Sequence, residues 1–150
     1  MKVIVIHLDN QEYALDIQKV VSIETIKELT RIPGTPSYLK GVLNLRGHIS
    51  PIIDLKEILN MGEAAKTELS RIVIVYVNGT QYGFIVDAAT DVIDIHPDSV
   101  QQTNSLHVKE NLDFLDGVAT IENRLLLLIN PDKILKEEQI EVINQQVNSK

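Results

Sequence analysis

Hydrophobic residues recur at every second position in several stretches of the chain, which is the period of half-buried β-strands. Residues 3–8 and 13–17 show this pattern on either side of a polar segment and therefore predict a β-hairpin. A second pair of such stretches flanks Asn78 and Gly79, a dipeptide favoured in two-residue hairpin turns because both positions need positive φ. Six further stretches, many of them rich in β-branched residues, predict additional strands at residues 20–23, 42–45, 49–53, 92–95, 118–121 and 125–129.

Helical patterns are confined to short segments. Residues 55–60 predict one short helix, and a second begins at Pro131, because proline suits the first turn of a helix. Ile140, Ile143 and Val147 are spaced to lie on one helical face, so the second helix resumes as an amphipathic tail. The sequence thus predicts a mostly β protein with short helices.

The two halves of the chain resemble each other. Residues 13–17 align with 82–86 at an offset of 69, and residues 41–59 align with 117–135 at an offset of 76. The difference between the offsets predicts a longer connection in the second half, near residues 98–109. One supersecondary plan is therefore used twice.

Each half supplies about five short strands and one short helix. An antiparallel sheet of that size hides its edges by closing into a barrel. Half a chain of this length has a small core, so the two units should pack together. We therefore expect an all-β fold with short helices, in which two tandem five-stranded SH3-like β-barrels share a hydrophobic seam and are divided near residues 66–70.

Composition narrows the class of protein. The chain has a formal net charge of −7, 44% hydrophobic residues and no cysteine. The acidic charge repels a phosphate backbone and argues against nucleic-acid binding, and the missing cysteines exclude disulfides and thiolate metal sites. No apolar run approaches the 20 or so residues that cross a bilayer, and the start of the chain does not resemble a signal peptide. We expect a cytoplasmic protein that does not insert into membranes.

The halves differ most sharply at residues 46–48 (Arg-Gly-His), which align with 122–124 (Glu-Asn-Arg). A residue that differs between repeated units is a candidate for a task that only one unit performs. The five donors of Arg46 suit a carboxylate or backbone carbonyls on a partner. The alternative is that Arg46 pairs with a nearby acid, such as Asp54 or Asp87, and only fixes the loop.

Three segments carry a family resemblance: residues 30–36 (TRIPGTP), 39–47 (LKGVLNLRG) and 51–55 (PIIDL). They closely resemble the CheW family of bacterial chemotaxis coupling proteins. The similarity continues through residues 83–87 and 117–135 and covers nearly the whole chain. The N-L-R-G segment followed by Pro-apolar-apolar-Asp-Leu makes the resemblance specific, and the chain is identified as one CheW-like domain over residues 1–150.

The resemblance implies a fold of two five-stranded barrels and a non-enzymatic adaptor. CheW-like proteins link the cytoplasmic tip of methyl-accepting chemoreceptors to the regulatory domain of the histidine kinase CheA and control kinase activity in receptor arrays at the membrane. That regulatory domain shares the CheW fold, so the two meet barrel to barrel. Two other functions stay open: an adaptor of another receptor–kinase pathway, such as twitching motility, and a small ligand-binding barrel or enzyme.

The resemblance also implies where partners bind. Arg46 matches the family arginine associated with receptor coupling and kinase control. The receptor tip is a helix expected in an apolar groove between the barrels, where a helix can lay one apolar edge. The residues at the groove positions here are Ile4, Ile17, Val20, Ile23, Ala89, Thr90 and Val92.

Two departures from the family pattern lie near this groove. Ser22 stands where many relatives carry Glu, and an acid returns only at Glu24. Ala89 stands where a larger aliphatic residue is common, so receptor preference is expected to differ. The alternative for each aliphatic groove residue is a place in the core, since β-branched residues at strand spacing are typical core residues.

The sequence offers little for catalysis. It contains no Gly-rich phosphate loop and no Gly-x-Ser-x-Gly motif, and its four histidines form no ligand pair. Asp87 and Asp91 form a conceivable acid–base pair, and His96 with Asp98 a conceivable metal site, but each is better explained as turn polarity. No catalytic residue, metal or cofactor is therefore predicted.

Overall fold

The computed structural model describes residues 1–102 and 113–148, so most of the connection expected near residues 98–109 lies outside the described residues. The chain begins with β1 (Lys2–Leu8), β2 (Gln11–Asp16), β3 (Val20–Thr25), β4 (Leu39–Leu45), β5 (His48–Asp54) and helix α1 (Leu55–Ile58). It continues with β6 (Arg71–Val77), β7 (Thr80–Val86), β8 (Ala88–Asp94), β9 (Val100–Gln102), β10 (Leu115–Ile121), β11 (Arg124–Ile129) and helix α2 (Glu137–Asn148).

The strands form two sheets, as the alternating pattern predicts. One sheet has the order β8-β1-β2-β11-β10-β9 and the other β3-β6-β7-β5-β4. Neighbours are antiparallel except for β2 with β11 and β5 with β7, which are parallel. The first sheet has six strands instead of the expected five because short β9 pairs Gln101 with Val118. At the equivalent place in the second sheet, beside β4, a single bridge between Thr30 and Val42 stands where a sixth strand would lie.

The sheets exchange their hairpins between the halves of the chain. Hairpin β1–β2 lies in the sheet built from β8–β11, whereas hairpin β6–β7 lies with β3–β5. Residues 66–70, the expected division, lie between α1 and β6, which belongs to the same sheet as β5. The two barrels are therefore not divided at residues 66–70, as expected from the sequence, because β2 pairs with β11 and β7 with β5 across the halves.

Single residues confirm the internal repeat. Ala14 lies opposite Leu128 in the six-stranded sheet, and Gly83 lies opposite Ile52 in the five-stranded sheet. The offset of 69 relates Ala14 to Gly83, and the offset of 76 relates Ile52 to Leu128, so the same pairing occurs once in each sheet. Residues related by these offsets are called equivalent below.

The core consists of two barrel interiors and a seam between them. Alternate residues of β1 face different clusters: Val3 and Val5 lie in the interior of the six-stranded barrel, whereas Ile4 and Ile6 lie in the seam. Strand β6 behaves in the same way in the five-stranded barrel. Ile143 of α2 is buried in the seam, with Ile140 and Val147 packed against it, which confirms the amphipathic tail. The expected shared hydrophobic seam is also confirmed.

Lys56 joins the two sheets where the hairpins cross over. Its Nζ lies 2.5 Å from Asp9 Oδ1, in the β1–β2 turn, and 3.9 Å from Asp87 Oδ2, between β7 and β8. The hydrogen bond to Asp9 raises the pKa of Lys56. Asp87 also accepts a hydrogen bond from the backbone N–H of Asp9 at 2.9 Å. This ionic cluster holds the exchanged hairpin in place.

Ser50 provides a stability prediction. Its hydroxyl is buried and has no hydrogen-bond partner among the described residues, and its equivalent in the other barrel is Leu126. Since burying an unpaired hydroxyl is costly, Ser50→Ala should leave the free energy of unfolding unchanged or raise it. Ser70→Ala is the matched control: Ser70 Oγ accepts from Thr67 N at 2.9 Å, so its removal should cost about 1 kcal/mol. Urea unfolding measures both, and an equal loss in the two variants contradicts the prediction.

Candidate functional site

Strands β3 and β8 are equivalent edge strands, and each contains a bulge. Val20 and Ser22 lie opposite consecutive residues of β6, which leaves Val21 unpaired. Thr90 is skipped in the same way where β8 pairs with β1. The bulges keep Val20 and its equivalent Ala89 against the seam while the next residues turn toward the ends of the barrels.

Exposed aliphatic side chains follow these two edges. Ile17, Ile23 and Val92 are 36%, 39% and 54% exposed, respectively. Val20 and Ala89 are half-buried and pack against the seam. We call these five residues the apolar edge. Exposed branched side chains beside unpaired strand edges are suited to contact another protein.

Two expected groove residues lie elsewhere. Ile4 is 5% exposed and belongs to the seam, because β1 lies inside its sheet between β2 and β8; its placement on the partner surface is corrected to the core. Thr90 is exposed, but its hydroxyl contacts His7 Nε2 at 3.2 Å and donates to Asp91 Oδ1 at 2.7 Å. It therefore lies with the polar end of the six-stranded barrel.

An ion-pair network covers that end of the six-stranded barrel. Arg124 donates from Nε to Glu12 Oε1 at 3.0 Å and from Nη2 to Glu12 Oε2 at 2.6 Å. Its Nη1 lies 3.6 Å from Asp91 Oδ2, and His7 lies 3.8 Å from Glu12. The network spans the four adjacent strands β8, β1, β2 and β11. We call this end the closed mouth.

The closed mouth predicts an acid-sensitive stability. The hydrogen bond from Arg124 holds the pKa of Glu12 below its ordinary value. The stabilisation is present above the unfolded pKa of about 4.3 and is lost as pH falls through the lower folded pKa. Glu12→Gln should therefore flatten the fall in unfolding free energy below about pH 5. Urea titrations from pH 7 to 3 measure this, with Glu122→Gln as a surface control; parallel curves for Glu12→Gln and the native protein contradict it.

The corresponding end of the five-stranded barrel is a pocket of about 250 Å³, which we call the open mouth. Its apolar lining comes from Val21, Leu45 and Ile74. Its polar lining consists of Ser22, Glu24, Arg46, His48 and Gln81.

Arg46 lies at the rim of the open mouth in the β4–β5 turn. It has a φ of +53° and is followed by Gly47 at +85°, so the turn has positive φ at both positions. Gly47 N donates to Asn44 Oδ1 at 3.1 Å, which fixes the turn without the arginine side chain. Within residues 1–102 and 113–148, no hydrogen bond or ion pair involves Arg46.

The two acids considered as partners of Arg46 are engaged elsewhere. Asp54 is buried and accepts from the backbone N–H groups of Lys56 at 3.0 Å and Ala64 at 2.8 Å. Asp87 belongs to the Lys56 cluster. The interpretation of Arg46 as a loop-fixing residue through either acid is therefore wrong, and its guanidinium pairs with no other acid among the described residues.

Sequence reasoning missed part of this site. Val21 is as exposed as Ile23, but a bulge cannot be recognised from the alternation alone. Ser22 stood out only as a departure from the family pattern, and His48 and Gln81 have no distinctive pattern of their own. The internal repeat, which aligns the three residues with Asp91, Arg124 and Glu12, is the signal that brings them together. Among the described residues, no group of three His, Asp or Glu side chains is placed to hold a metal ion.

Comparison with known proteins identifies the family. The CheW-like domain model matches residues 2–139. The chain belongs to the CheW family. It is similar to the chemotaxis protein CheW of Bacillus subtilis, with 36% identity over 91% of this chain and 88% of that protein, and to CheW of Klebsiella aerogenes, with 30% identity over 95% and 86%.

A solved CheW structure has the same fold. The crystal structure of the scaffolding protein TtCheW from Thermoanaerobacter tengcongensis is 34% identical to this chain, with a TM-score of 0.82, and the match covers 90% of this chain and 92% of that one. The two SH3-like units expected from the sequence fit this CheW fold. The CheW relatives and the scaffold structure make this protein a chemotaxis coupling adaptor.

Neither helix in the described part of this CheW-family chain is long and apolar enough to cross a membrane.

Proposed function

We propose that this protein couples the cytoplasmic tips of chemoreceptors to the regulatory domain of a CheA-type histidine kinase. In this role it controls kinase activity by binding and converts no substrate itself. It works in the cytoplasm, at receptor arrays beneath the membrane.

The apolar edge supports this proposal most directly. Ile17, Ile23 and Val92 are all exposed. Ile23 lies on β3, which pairs with β6, its equivalent Val92 lies on β8, which pairs with β1, and Ile17 lies in the short turn of helix that leads into β3. An amphipathic helix binds such a surface by placing residues at positions i, i+3 and i+4 between exposed aliphatic side chains. A receptor tip made of helices has the required shape.

The two-barrel architecture supports the kinase contact. The family resemblance implies that the regulatory domain of the kinase has the same fold, so the first barrel of one protein can meet the second barrel of the other. Such a head-to-tail contact is heterologous and can close into rings. Weak contacts are sufficient in a ring because several act together.

Isothermal titration calorimetry with a soluble receptor cytoplasmic fragment and, separately, with the kinase regulatory domain tests the proposal. We expect both to bind with a micromolar Kd, which corresponds to about −8 kcal/mol. Kinase activity should rise only when receptor, kinase and this protein are all present. A protein that binds neither fragment at high micromolar concentration does not have the proposed function.

A further inference from the structure

The two barrels differ at one matching place, their mouths. In the closed mouth, the guanidinium of Arg124 lies between the carboxylates of Glu12 and Asp91. The chain thereby supplies both the cation and the anions that fill this end of the barrel. No partner group is needed to satisfy these side chains.

The open mouth lacks that arrangement. The residues equivalent to Arg124, Glu12 and Asp91 are His48, Gln81 and Ser22, and none of the three carries a carboxylate. A pocket of about 250 Å³ remains where the ion pairs would lie, and Ile74 of the barrel interior contributes to its lining.

The cation at this mouth, Arg46, forms no ion pair with any described residue. Arg46 occupies the position that Glu122 holds in the other barrel, with nearly the same φ. The single carboxylate in the lining, Glu24, lies 3.6 Å from Lys27 and forms its ion pair there. Gln81 Nε2 donates to the hydroxyl of Tyr76 at 3.1 Å. No carboxylate of the described residues forms an ion pair with Arg46, and the one carboxylate in the lining is paired with Lys27 instead.

The size of the pocket indicates what kind of group it takes. Its volume of about 250 Å³ is below the range of about 300–1,000 Å³ typical of small-molecule sites. It is better suited to a single side chain. Val21, Leu45 and Ile74 would contact a short aliphatic stem, and Arg46 would bind a carboxylate through charge-assisted hydrogen bonds.

We propose that the open mouth receives an aspartate or glutamate side chain from the receptor helix, which thereby supplies the carboxylate that Glu12 provides in the closed mouth. The inference rests on the proposed function. Strand β3 links the two surfaces, since Val20 and Ile23 belong to the apolar edge and Val21 between them lines the mouth. A helix lying along this edge strand therefore meets both the apolar edge and Arg46.

Charge reversal at Arg46 tests the proposal. Arg46→Glu should weaken binding of the soluble receptor cytoplasmic fragment about tenfold or more, because a carboxylate then faces a carboxylate. The turn should tolerate this change, since Glu122 has nearly the same positive φ at the equivalent position. Affinity for the kinase regulatory domain should stay within about twofold, and Glu122→Arg, the matched control, should leave receptor binding unchanged.

Two further measurements identify the contact. Lysine substitution of each acidic residue at the receptor tip should yield one fragment that binds Arg46→Glu better than it binds the native protein. Closing the mouth from within, with His48→Arg and Gln81→Glu together, should also weaken receptor binding while the melting temperature is maintained.

The outcomes separate this inference from the proposed function. If the native protein binds neither fragment, both fail. If it binds both fragments and Arg46→Glu binds the receptor fragment normally, or if no lysine substitution rescues the variant, only the carboxylate contact is wrong. A loss confined to the kinase domain also overturns it.

Discussion

Replacing Gly41 with alanine is expected to lower the melting temperature by roughly 10 °C, the equivalent of about 3 kcal/mol. Gly41 has a φ of +152°, and a Cβ at this position would lie 2.6 Å from the carbonyl oxygen of Thr30. Thr30 cannot move away cheaply, because its N–H and carbonyl both hydrogen-bond to Val42, at 3.1 and 2.8 Å. The substitution therefore either breaks this bridge or displaces β4.

Gly62→Ala separates the collision from the cost of the backbone conformation. Gly62 also has positive φ, +94°, but an added Cβ would meet nothing within 4 Å. Gly62→Ala should lower the free energy of unfolding by about 1 kcal/mol, the cost of placing a non-glycine residue at positive φ. Circular dichroism during thermal and urea unfolding measures both variants. If Gly41→Ala is no less stable than Gly62→Ala, the close approach of Thr30 does not constrain the fold.

The exchange of hairpins shows what a repeat in the sequence leaves undetermined. The offsets identify Ala14 with Gly83 and Leu128 with Ile52, so they establish which segments are equivalent. They do not determine whether β2 pairs with β5 of its own half or with β11 of the other half. Both arrangements bury the same alternating residues, and only long-range packing in the seam distinguishes them.

The surface residues were predictable to different degrees. Arg46 stood out because its equivalent is an acid, and the structure indeed leaves it without an internal ion pair among the described residues. The burial of Ile4 could not be predicted from the sequence. Both faces of β1 are buried, so its run of apolar residues does not show which side chains would face a partner. The exposure of Val21 results from a bulge in β3, which cannot be recognised from the alternating pattern.

The largest functional effect is expected from the double substitution Ile23→Asp and Val92→Asp. These residues are equivalent, occupy the two edge strands, and are 39% and 54% exposed. A carboxylate at each position would have to be desolvated under the docked receptor helix without a partner, so affinity for the receptor fragment should fall about 100-fold. The free energy of unfolding should change far less, because both side chains already contact water.

Leu69→Asp is the control for this double variant, since Leu69 is 66% exposed in the loop before β6 and lies off the apolar edge. It introduces one of the two negative charges on a more exposed aliphatic residue and should bind the receptor fragment normally. Calorimetry compares the variants, and retained receptor binding by the double variant contradicts the assignment of the apolar edge. If Ile23 and Val92 serve only the packing of the seam, the double substitution should instead lower the free energy of unfolding and leave receptor affinity unchanged.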